Sequence, residues 1–579
     1  MNLVCQGSQN LLLNGNANFT FFKCVYKRYS DFGKQRFRID YEGQRATSWD
    51  LPCTLDFKIP RYADLLGATY VAVTLPSIWS PVVKVKSESN GQEAKVGFRM
   101  QWIPDVGDHL VRRIRVTAGG VCLQELTGDY LRAKKMRDLP SDKLELYNQM
   151  TGNVPSLTEP FSFCPTVLPF SLAGTNSTAS NPTYYGYPGS SVDPATGAAH
   201  GKNFSSPTIP SRTLYIPLGT WFCETTQQAL PLVSLQYVQV EISVELAPIT
   251  ELITGIDIPR LLSNQEAIQT VSSILAFQGD PLSRSAPTPS SSLLWDARLF
   301  MQPQMNEEAF LSLDRDGPSE SDINAIWPQR TPLWNSDSHL LAQYYFLSDE
   351  ENSAFAAYPQ KYLYVDTSEF RINDITSSER VELPHSHGMV SNWMWFLRRS
   401  DAYATNNWSN YTASKIGPVQ MAGWYGKIAN TDFANGQPYP LDEPIMKTWA
   451  LLINGEYREN TFAYGVYGML EAYESSKGVP PPGLYCYDFG VTTSDLGCAP
   501  SGAMNLSTCG KVEFEIAVRE PARNPNTFLT YLCDNAGGVI GVDDTSKSIY
   551  MYTYDMFVYE ERYNVMTFEG GVVGLLYTR

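Results

Sequence analysis

The chain has 579 residues, 43% of them hydrophobic and 12% aromatic, so it should fold and is too long for a single ordinary core. Its formal net charge of −16 argues against a protein that mainly coats nucleic acid, because neutralising phosphates requires an excess of Lys and Arg. Ten cysteines without a CxxC pair argue against a disulfide scaffold and a zinc site, and no apolar run reaches the roughly 20 residues of a membrane helix.

Aromatic and basic residues are concentrated near the N-terminus, in NANFTFFKCVYKRYSDFGKQRFRID (residues 16–40). Such a stretch suits a membrane-surface anchor, a nucleic-acid arm or the first strand of a β domain. The first 45 residues carry seven basic and three acidic side chains, in contrast to the acidic chain as a whole. A patch for a membrane surface or an acidic partner and a solvated strand face explain this excess equally well. The first 15 residues lack the basic and apolar regions expected of a signal peptide.

Strand patterns dominate the first half. HLVRRIRVTAGG (109–120) alternates weakly and ends in a Gly-Gly turn, and YVQVEISVEL (237–246) alternates over ten residues, as expected for a strand with one buried face. Between them, 129–150 predicts two short helices separated at Pro140, with Asp129 and Ser141 as N-caps.

Two low-complexity segments and one further strand complete the pattern. Residues 171–207 are polar and turn-rich and predict an extended surface loop, whereas SRSAPTPSSS (283–292) has the composition of a linker between two β domains. KVEFEIAV (511–518) again alternates. Many strands, few helices and long loops favour antiparallel sandwiches or barrels over βαβ units.

Residues for catalysis or metal binding form no recognisable motif. HExxH, GxSxG and the phosphate-binding loop are absent, and DRDG (314–317) covers only part of a calcium loop. His385 and His387 would share a strand face, but no third ligand stands at a suitable spacing. We therefore expect no cofactor and no metal, whereas the 60 acidic residues leave a glycosidase-like pair of carboxylates open without indicating one. Among the Asn-x-Ser/Thr sequons, only Asn176 and Asn203, in the long polar loop, are expected to be exposed and open to glycosylation.

Several ordered blocks resemble the double jelly-roll major capsid proteins of nucleocytoplasmic large DNA viruses. LLLNGNANFTFFKCVYKRYSDF is similar to the family's opening through Gly15, Asn16, Thr20, Phe21, Phe22, Lys23, Val25, Tyr26 and Arg28. IRVTAGGVCLQELTGDYL, YIPLGTWFCETTQQALPLVSLQYVQVEI, WMWFLRRSD with LLINGEYR, and LYCYDFG with APSGAMNLS follow in the family's order. Residues 171–207 and about 314–360 depart from the family pattern.

The resemblance implies an all-β chain of two consecutive eight-stranded antiparallel jelly-roll β-sandwiches, with long loops and a few short helices. We expect an N-terminal arm (1–30), a first jelly roll (31–250), a linker (251–292) and a second jelly roll (293–579). The implied function is that of a major capsid protein, a homotrimer with a pseudo-hexagonal outline that tiles an icosahedral shell and has no enzymatic activity. Long loops would form the virion surface, and assembly would take place in the host cell cytoplasm.

The resemblance also implies partners and contact residues. The arm would lie at the base of the barrel and face the capsid interior, where minor capsid proteins and possible internal membrane contacts are expected, with no sequence-specific nucleic-acid binding. The expected arm contacts are Phe19, Phe21, Phe22, Lys23, Tyr26, Lys27 and Arg28, with the first strand opening near 26–39. The alternative is a secreted or surface β-sandwich protein that acts on or binds carbohydrate, favoured only by the aromatic content.

Overall fold

The computed structural model describes residues 16–158, 207–256, 333–413, 444–521 and 530–577, apart from short gaps at 19, 24–25, 27, 44–45, 50, 80–81, 87–92, 98, 208, 385, 405, 494–498, 534–538 and 544–551. No described helix is long and apolar enough to cross a membrane. The expected sites Phe19, Lys27, Asn176 and Asn203 lie outside the described residues.

The described chain is built mainly of strands. Its first part contains β1 Phe32–Asp40, β2 Ala46–Ser48, β3 Cys53–Lys58, β4 Leu65–Leu75, β5 Val82–Lys86, β6 Glu93–Gly97, β7 Arg99–Trp102, β8 Val111–Ala118, β9 Val121–Thr127, β10 Arg212–Pro217, β11 Leu230–Pro231, β12 Val240–Leu246, β13 Ile253–Ile256, β14 Leu333–Asn335 and β15 His339–Leu347. The remainder contains β16 Gln360–Ile375, β17 Glu379–Glu382, β18 Met389–Arg399, β19 Met446–Ile453, β20 Glu456–Ala463, β21 Leu484–Asp488, β22 Met504–Asn505, β23 Val512–Val518, β24 Thr530–Cys533, β25 Val539–Asp543, β26 Tyr554–Glu569 and β27 Val572–Leu575.

Helices are short and lie in the connections. The described ones are α1 Val106–Leu110, α2 Gly128–Asp138, α3 Ser141–Thr151, α4 Pro155–Thr158, α5 Trp221–Glu224, α6 Asp349–Ala357 and α7 Glu471–Ser475, with a π-helical turn, Val466–Leu470, directly before α7. The predicted pair of helices on either side of Pro140 is confirmed. Both caps differ from the prediction. The Thr127 hydroxyl, not Asp129, accepts the hydrogen bond from the Tyr130 amide, and Pro140 occupies the cap position before Ser141, which is the first residue of α3.

The strands form two jelly rolls of the same topology. In the first, one sheet has the order β1-β15-β4-β10 and the other β3-β12-β8-β9; in the second, the orders are β16-β26-β18-β21 and β17-β23-β19-β20. Each half has eight principal strands in these sheets. When they are numbered one to eight along the chain, the strand order is 1-8-3-6 in one sheet and 2-7-4-5 in the other, and it is the same in both halves. The all-β fold of two eight-stranded antiparallel sandwiches is therefore confirmed.

The pairing of β15 differs from the predicted domain division. This strand lies between β1 and β4, with Phe32 opposite Leu347 and Leu341 opposite Tyr70, so it is the last strand of the first jelly roll. Strand β14 likewise pairs with β2, and β13 with β7. Residues 251–292 therefore fall within the connection between β12 and β15, and the passage between the jelly rolls is made by residues 348–359, which contain α6.

Successive strands alternate in direction, which gives each jelly roll two distinct ends. The backbone bonds from Ile103 to Leu252 and from Thr250 to Trp49 join connections at one end, which we call the long-loop end. The bonds from Gly119 to Gln239 and from Val233 to Asp64 join connections at the other, the short-turn end.

The turns between the fourth and fifth strands are tight in both halves. Gly119-Gly120 and Asn454-Gly455 both have positive φ at their two residues, the geometry that matches the twist of a two-residue hairpin.

Both jelly rolls point the same way. At the short-turn end the Tyr237 amide donates to the Gly571 carbonyl at 3.1 Å, and at the long-loop end the Asn406 side-chain amide donates to the carbonyls of Thr250 and Ile253, each at 2.8 Å. Each jelly roll has its own apolar interior, and that of the second centres on Trp395 and Trp449, whose rings stack at 4.8 Å. The two lobes are therefore side by side and parallel.

Candidate functional site: the joint between the jelly rolls

The expected arm contacts lie at the short-turn end, where the chain enters β1. Phe21 and Phe22 are 89% and 98% exposed, and Lys23, Tyr26 and Arg28 are exposed as well. The first strand begins at Phe32, later than the predicted 26–39, so these residues precede the sheet. The structure leaves this segment open to solvent, on the end opposite the long loops.

The two jelly rolls meet at a joint made by α2 of the first and the outward face of one sheet of the second. This sheet is buried on both faces, as strand β18 illustrates. Its side chains alternate: Trp393 and Trp395 point into the second jelly roll, whereas Met394 and Phe396 point toward the first. Tyr130 of α2 packs on Tyr559 of β26, with ring centroids 5.6 Å apart.

Charged residues of α2 are buried in this joint. The Arg137 guanidinium donates to both carboxylate oxygens of Glu561 at 3.2 Å and to the Asn392 side-chain oxygen at 3.0 Å. The Tyr130 hydroxyl also donates to Glu561, at 2.7 Å. Burial opposes ionisation of Glu561, but Arg137 and Lys134 outweigh it and hold its pKa below the usual range.

A second buried cluster lies on the preceding turn of α2. Arg132 donates to Asp105 at 2.7 Å, and Lys135 pairs with Asp105 at 3.2 Å and also with Asp108. Burial alone would raise the pKa of Asp105, but Lys135 and Arg132 hold it well below its usual value. Ser409, from the second jelly roll, donates to Asp105 at 3.1 Å and so ties this cluster to the joint.

His109 and Asp129 connect the cluster to the long-loop end. The His109 ring Nε2 lies 2.8 Å from the Ser409 hydroxyl, and Arg398 of the second jelly roll pairs with Asp129 at 3.3 Å. Burial lowers the pKa of His109 to about 4, so the ring is neutral near pH 7. A pocket of about 320 Å³ opens here between the lobes, lined by side chains that include Arg112, Asp129, Glu251, Glu369, Arg371, Arg398, Trp408 and Phe557.

This arrangement suits a structural contact. Most of the charged groups are matched in ion pairs within or across the lobes, and no described group of three or more His, Cys, Asp or Glu side chains is arranged to hold a metal ion. Of the two histidines considered from sequence, His387 lies beside the Arg562 guanidinium at 3.2 Å, and His385 lies outside the described residues. What the joint provides is a fixed relation between two lobes.

Sequence reasoning did not identify these joint residues. The segment GDYLRAKKMRD was recognised as helical, and its lack of an apolar stripe could have indicated that its charges, rather than an apolar face, make the contact. The acidic partner Glu561 stands in a continuous buried strand, where a carboxylate needs a partner.

Two family profiles match the chain. The one described as "Major capsid protein N-terminus" matches residues 20–293, and the one described as "Large eukaryotic DNA virus major capsid protein" matches residues 351–574. Together they cover most of the chain.

Individual relatives agree. The major capsid protein of Chrysochromulina ericina virus is 27% identical over 265 residues, covering 43% of this chain but only 41% of the relative's own length. That of Paramecium bursaria Chlorella virus 1 is 21% identical over 589 residues, covering 99% of this chain and 98% of the relative.

Solved structures share the fold. The Faustovirus major capsid protein superposes with a TM-score of 0.58 at 12% identity, over 97% of this chain and 94% of that one. The capsid protein in the quasi-atomic model of the PBCV-1 virus capsid superposes with a TM-score of 0.56 at 16% identity, over 97% of this chain and 100% of that one. With these matches and two jelly rolls of one topology, the chain belongs to the major capsid protein family of large eukaryotic DNA viruses.

Proposed function

We propose that three copies of this chain form a capsomer with a pseudo-hexagonal outline, and that such capsomers tile an icosahedral shell. The observation that carries the proposal is the pair of parallel jelly rolls with identical strand order. Two similar lobes in each of three copies give six lobes around a threefold axis, and a six-lobed outline packs in a flat hexagonal lattice.

The buried joint supports this role, because a tile must keep its outline under the forces of assembly. The Arg137–Glu561 pair and the Arg132–Asp105 pair are buried and tie α2 to both lobes. Ion pairs of this kind tolerate little displacement, since a separated buried charge is costly. The chain therefore behaves as one rigid two-lobed unit.

The arm and the loops suit the two faces of a shell. The exposed aromatic and basic side chains of Phe21, Phe22, Lys23, Tyr26 and Arg28 lie at the short-turn end, which we assign to the capsid interior and to contact with minor capsid proteins or an internal viral membrane. The long-loop end would face outward. We place the protein in the virion capsid after assembly in the host cell cytoplasm, with a structural and non-catalytic role.

Light scattering coupled to size-exclusion chromatography, followed by electron microscopy, tests the proposal. We expect a mass of three chains and particles with a hexagonal outline. A monomer that forms no hexagonal particles and turns over a glycan would contradict it and favour the carbohydrate alternative. The relatives described above are named as major capsid proteins, which favours the capsomer over this alternative.

A further inference from the structure

Within the chain, one sheet of the second jelly roll is covered by the first. Its outward face, on β16, β26, β18 and β21, packs against β9 and the helix α2 that directly follows it. The Tyr364 hydroxyl donates to the Leu123 carbonyl at 3.3 Å, and the Gln124 side chain donates to the Val365 carbonyl at 3.1 Å. The covering element is thus a fifth strand and its following helix.

The equivalent sheet of the first jelly roll has no such cover among the described residues. We call the outward face of β1-β15-β4-β10 the sheet surface; it presents Arg36, Tyr70, Tyr215, Leu341 and Gln343. Tyr215 and Arg36 are exposed and the others half-buried, whereas Phe396 and Tyr559, on the equivalent covered face, are at most 1% exposed. Within the described residues, the outward face of this sheet is therefore covered in the second jelly roll and open in the first.

The equivalent covering element of the second jelly roll is also open. Strand β20, its fifth strand, runs directly into the π-helical turn and α7, as β9 runs into α2. We call β20 with these helical residues the edge surface. Nearly all of β20 is exposed, and large apolar side chains stand out from the helical part, with Met469 66%, Leu470 54% and Tyr473 89% exposed.

The charges of the two open surfaces are complementary. The edge surface carries four acidic residues, Glu456, Glu459, Glu471 and Glu474, against one basic residue, Arg458, so it is acidic as a whole. The sheet surface carries the basic side chains of Lys34 and Arg36 on its first strand. Inside the chain the signs are reversed, because the basic α2 there meets Glu561.

We propose that the edge surface of one copy packs on the sheet surface of a second copy, repeating between chains the joint that joins the two lobes within each chain. The inference rests on the proposed capsomer and names the surfaces that would build it. Each chain has one surface of each kind, so the contact is head-to-tail and closes into a ring only when a last copy meets the first.

Two variants test the assignment on the full chain. The edge variant combines Met469→Ala, Leu470→Ala and Tyr473→Ala; the sheet variant combines Arg36→Glu and Tyr215→Glu. The altered side chains are exposed, so both variants should fold, which thermal unfolding checks. We expect association about 100-fold weaker than in the unchanged protein, the effect of losing central contacts of an interface. The matched control changes three other exposed residues, Leu51, Tyr403 and Val491, to Ala. These residues lie outside both surfaces.

Mixing the two variants gives the decisive measurement. Each variant keeps one intact surface, and the intact edge of the sheet variant can meet the intact sheet of the edge variant. We expect each variant alone to be monomeric by light scattering and the equimolar mixture to contain dimers but no closed ring. A mixture that stays monomeric, or variants that assemble as the control does, would overturn the assignment. A monomeric unchanged protein would instead contradict the proposed capsomer itself.

Discussion

At the scale of single residues, the joint depends on buried charges whose value lies in geometry more than in stability. Removing an ion from water costs several kcal/mol, so pairs such as Arg137 with Glu561 contribute little net free energy of folding. Their partners are fixed in direction, since Glu561 accepts from Arg137, Asn392 and Tyr130 at once. Only one placement of α2 satisfies them all, and that placement sets the relation of the lobes.

Glu561→Gln should therefore destabilise the protein by about 2 kcal/mol, because it removes one of the two carboxylates that pair with the buried Arg137 and leaves only Asp138, at 2.6 Å. The midpoint of urea unfolding measures the change. Glu569→Gln serves as the control, since Glu569 ends the same strand and is exposed. Equal urea midpoints for the two variants would show that the charge of Glu561 does not stabilise the buried Arg137.

The buried His109 should make stability depend on pH. Its pKa is lowered to about 4 by burial, below the roughly 6.5 of an unfolded chain, so between these values the unfolded state binds the extra proton. The free energy of unfolding then falls as the pH drops through this window and is unaffected by His109 above it. The charged groups that face His109 are Asp105, Asp129, Arg132 and Arg398.

His109→Gln should flatten this dependence by on the order of 1.4 kcal/mol for each pH unit within the window. Urea unfolding of both proteins at several pH values between 7 and 4.5 measures the difference, and the neighbouring acids, unchanged in both, cancel in the comparison. Parallel curves for the two proteins would contradict the assignment of the proton to His109.

At the scale of elements, the sequence pattern predicted those strands and helices that are determined by residues close together in the chain. The alternation in 237–246 and 511–518 corresponds to β12 and β23, and the break between the two helices at Pro140 was predicted because proline is a local signal. The family blocks predicted two jelly rolls, and the paired sheets confirm them.

The division between the lobes could not be read from the sequence. A Ser/Pro-rich stretch has the same composition whether it links domains or lies within a long connection, so the insertion before β15 resembled a boundary. The joint was missed for a similar reason: Glu561 and Arg137 are 424 positions apart, and only the folded chain brings them together.

The docking of α2 on β8 requires glycine at its first residue. A Cβ at Gly128 would lie 2.0 Å from the Val111 carbonyl oxygen and 2.4 Å from that of Asp108, so the backbone would have to move. Gly128→Ala should lower the free energy of unfolding by about 3 kcal/mol. In Gly574→Ala, the control, the nearest contact is an ordinary 3.5 Å, and thermal unfolding should show little change; a similar loss in both would contradict the close approach.

At the scale of the whole molecule, parallel lobes give the chain two unlike ends. The arm enters β1 at the short-turn end, beside the passage through α6, because Phe32 pairs with Leu347. The connections that carry most of the chain outside the sheets leave from the other end. In the proposed capsomer, one end would then face the interior and the other the surroundings, and the sides of the lobes would remain for contacts between copies.

In the proposed capsomer, the arm would make contacts beneath the lobes and would not be part of them. Deleting residues 1–26 should leave the mass of the capsomer and its thermal unfolding unchanged, because Phe21, Phe22 and Tyr26 bury little surface and the first sheet begins at Phe32. Assembly into larger particles, counted by electron microscopy, should be impaired, since the exposed aromatic and basic side chains would no longer be available to partners. Loss of the folded first jelly roll on deletion would instead show that the segment is part of its core.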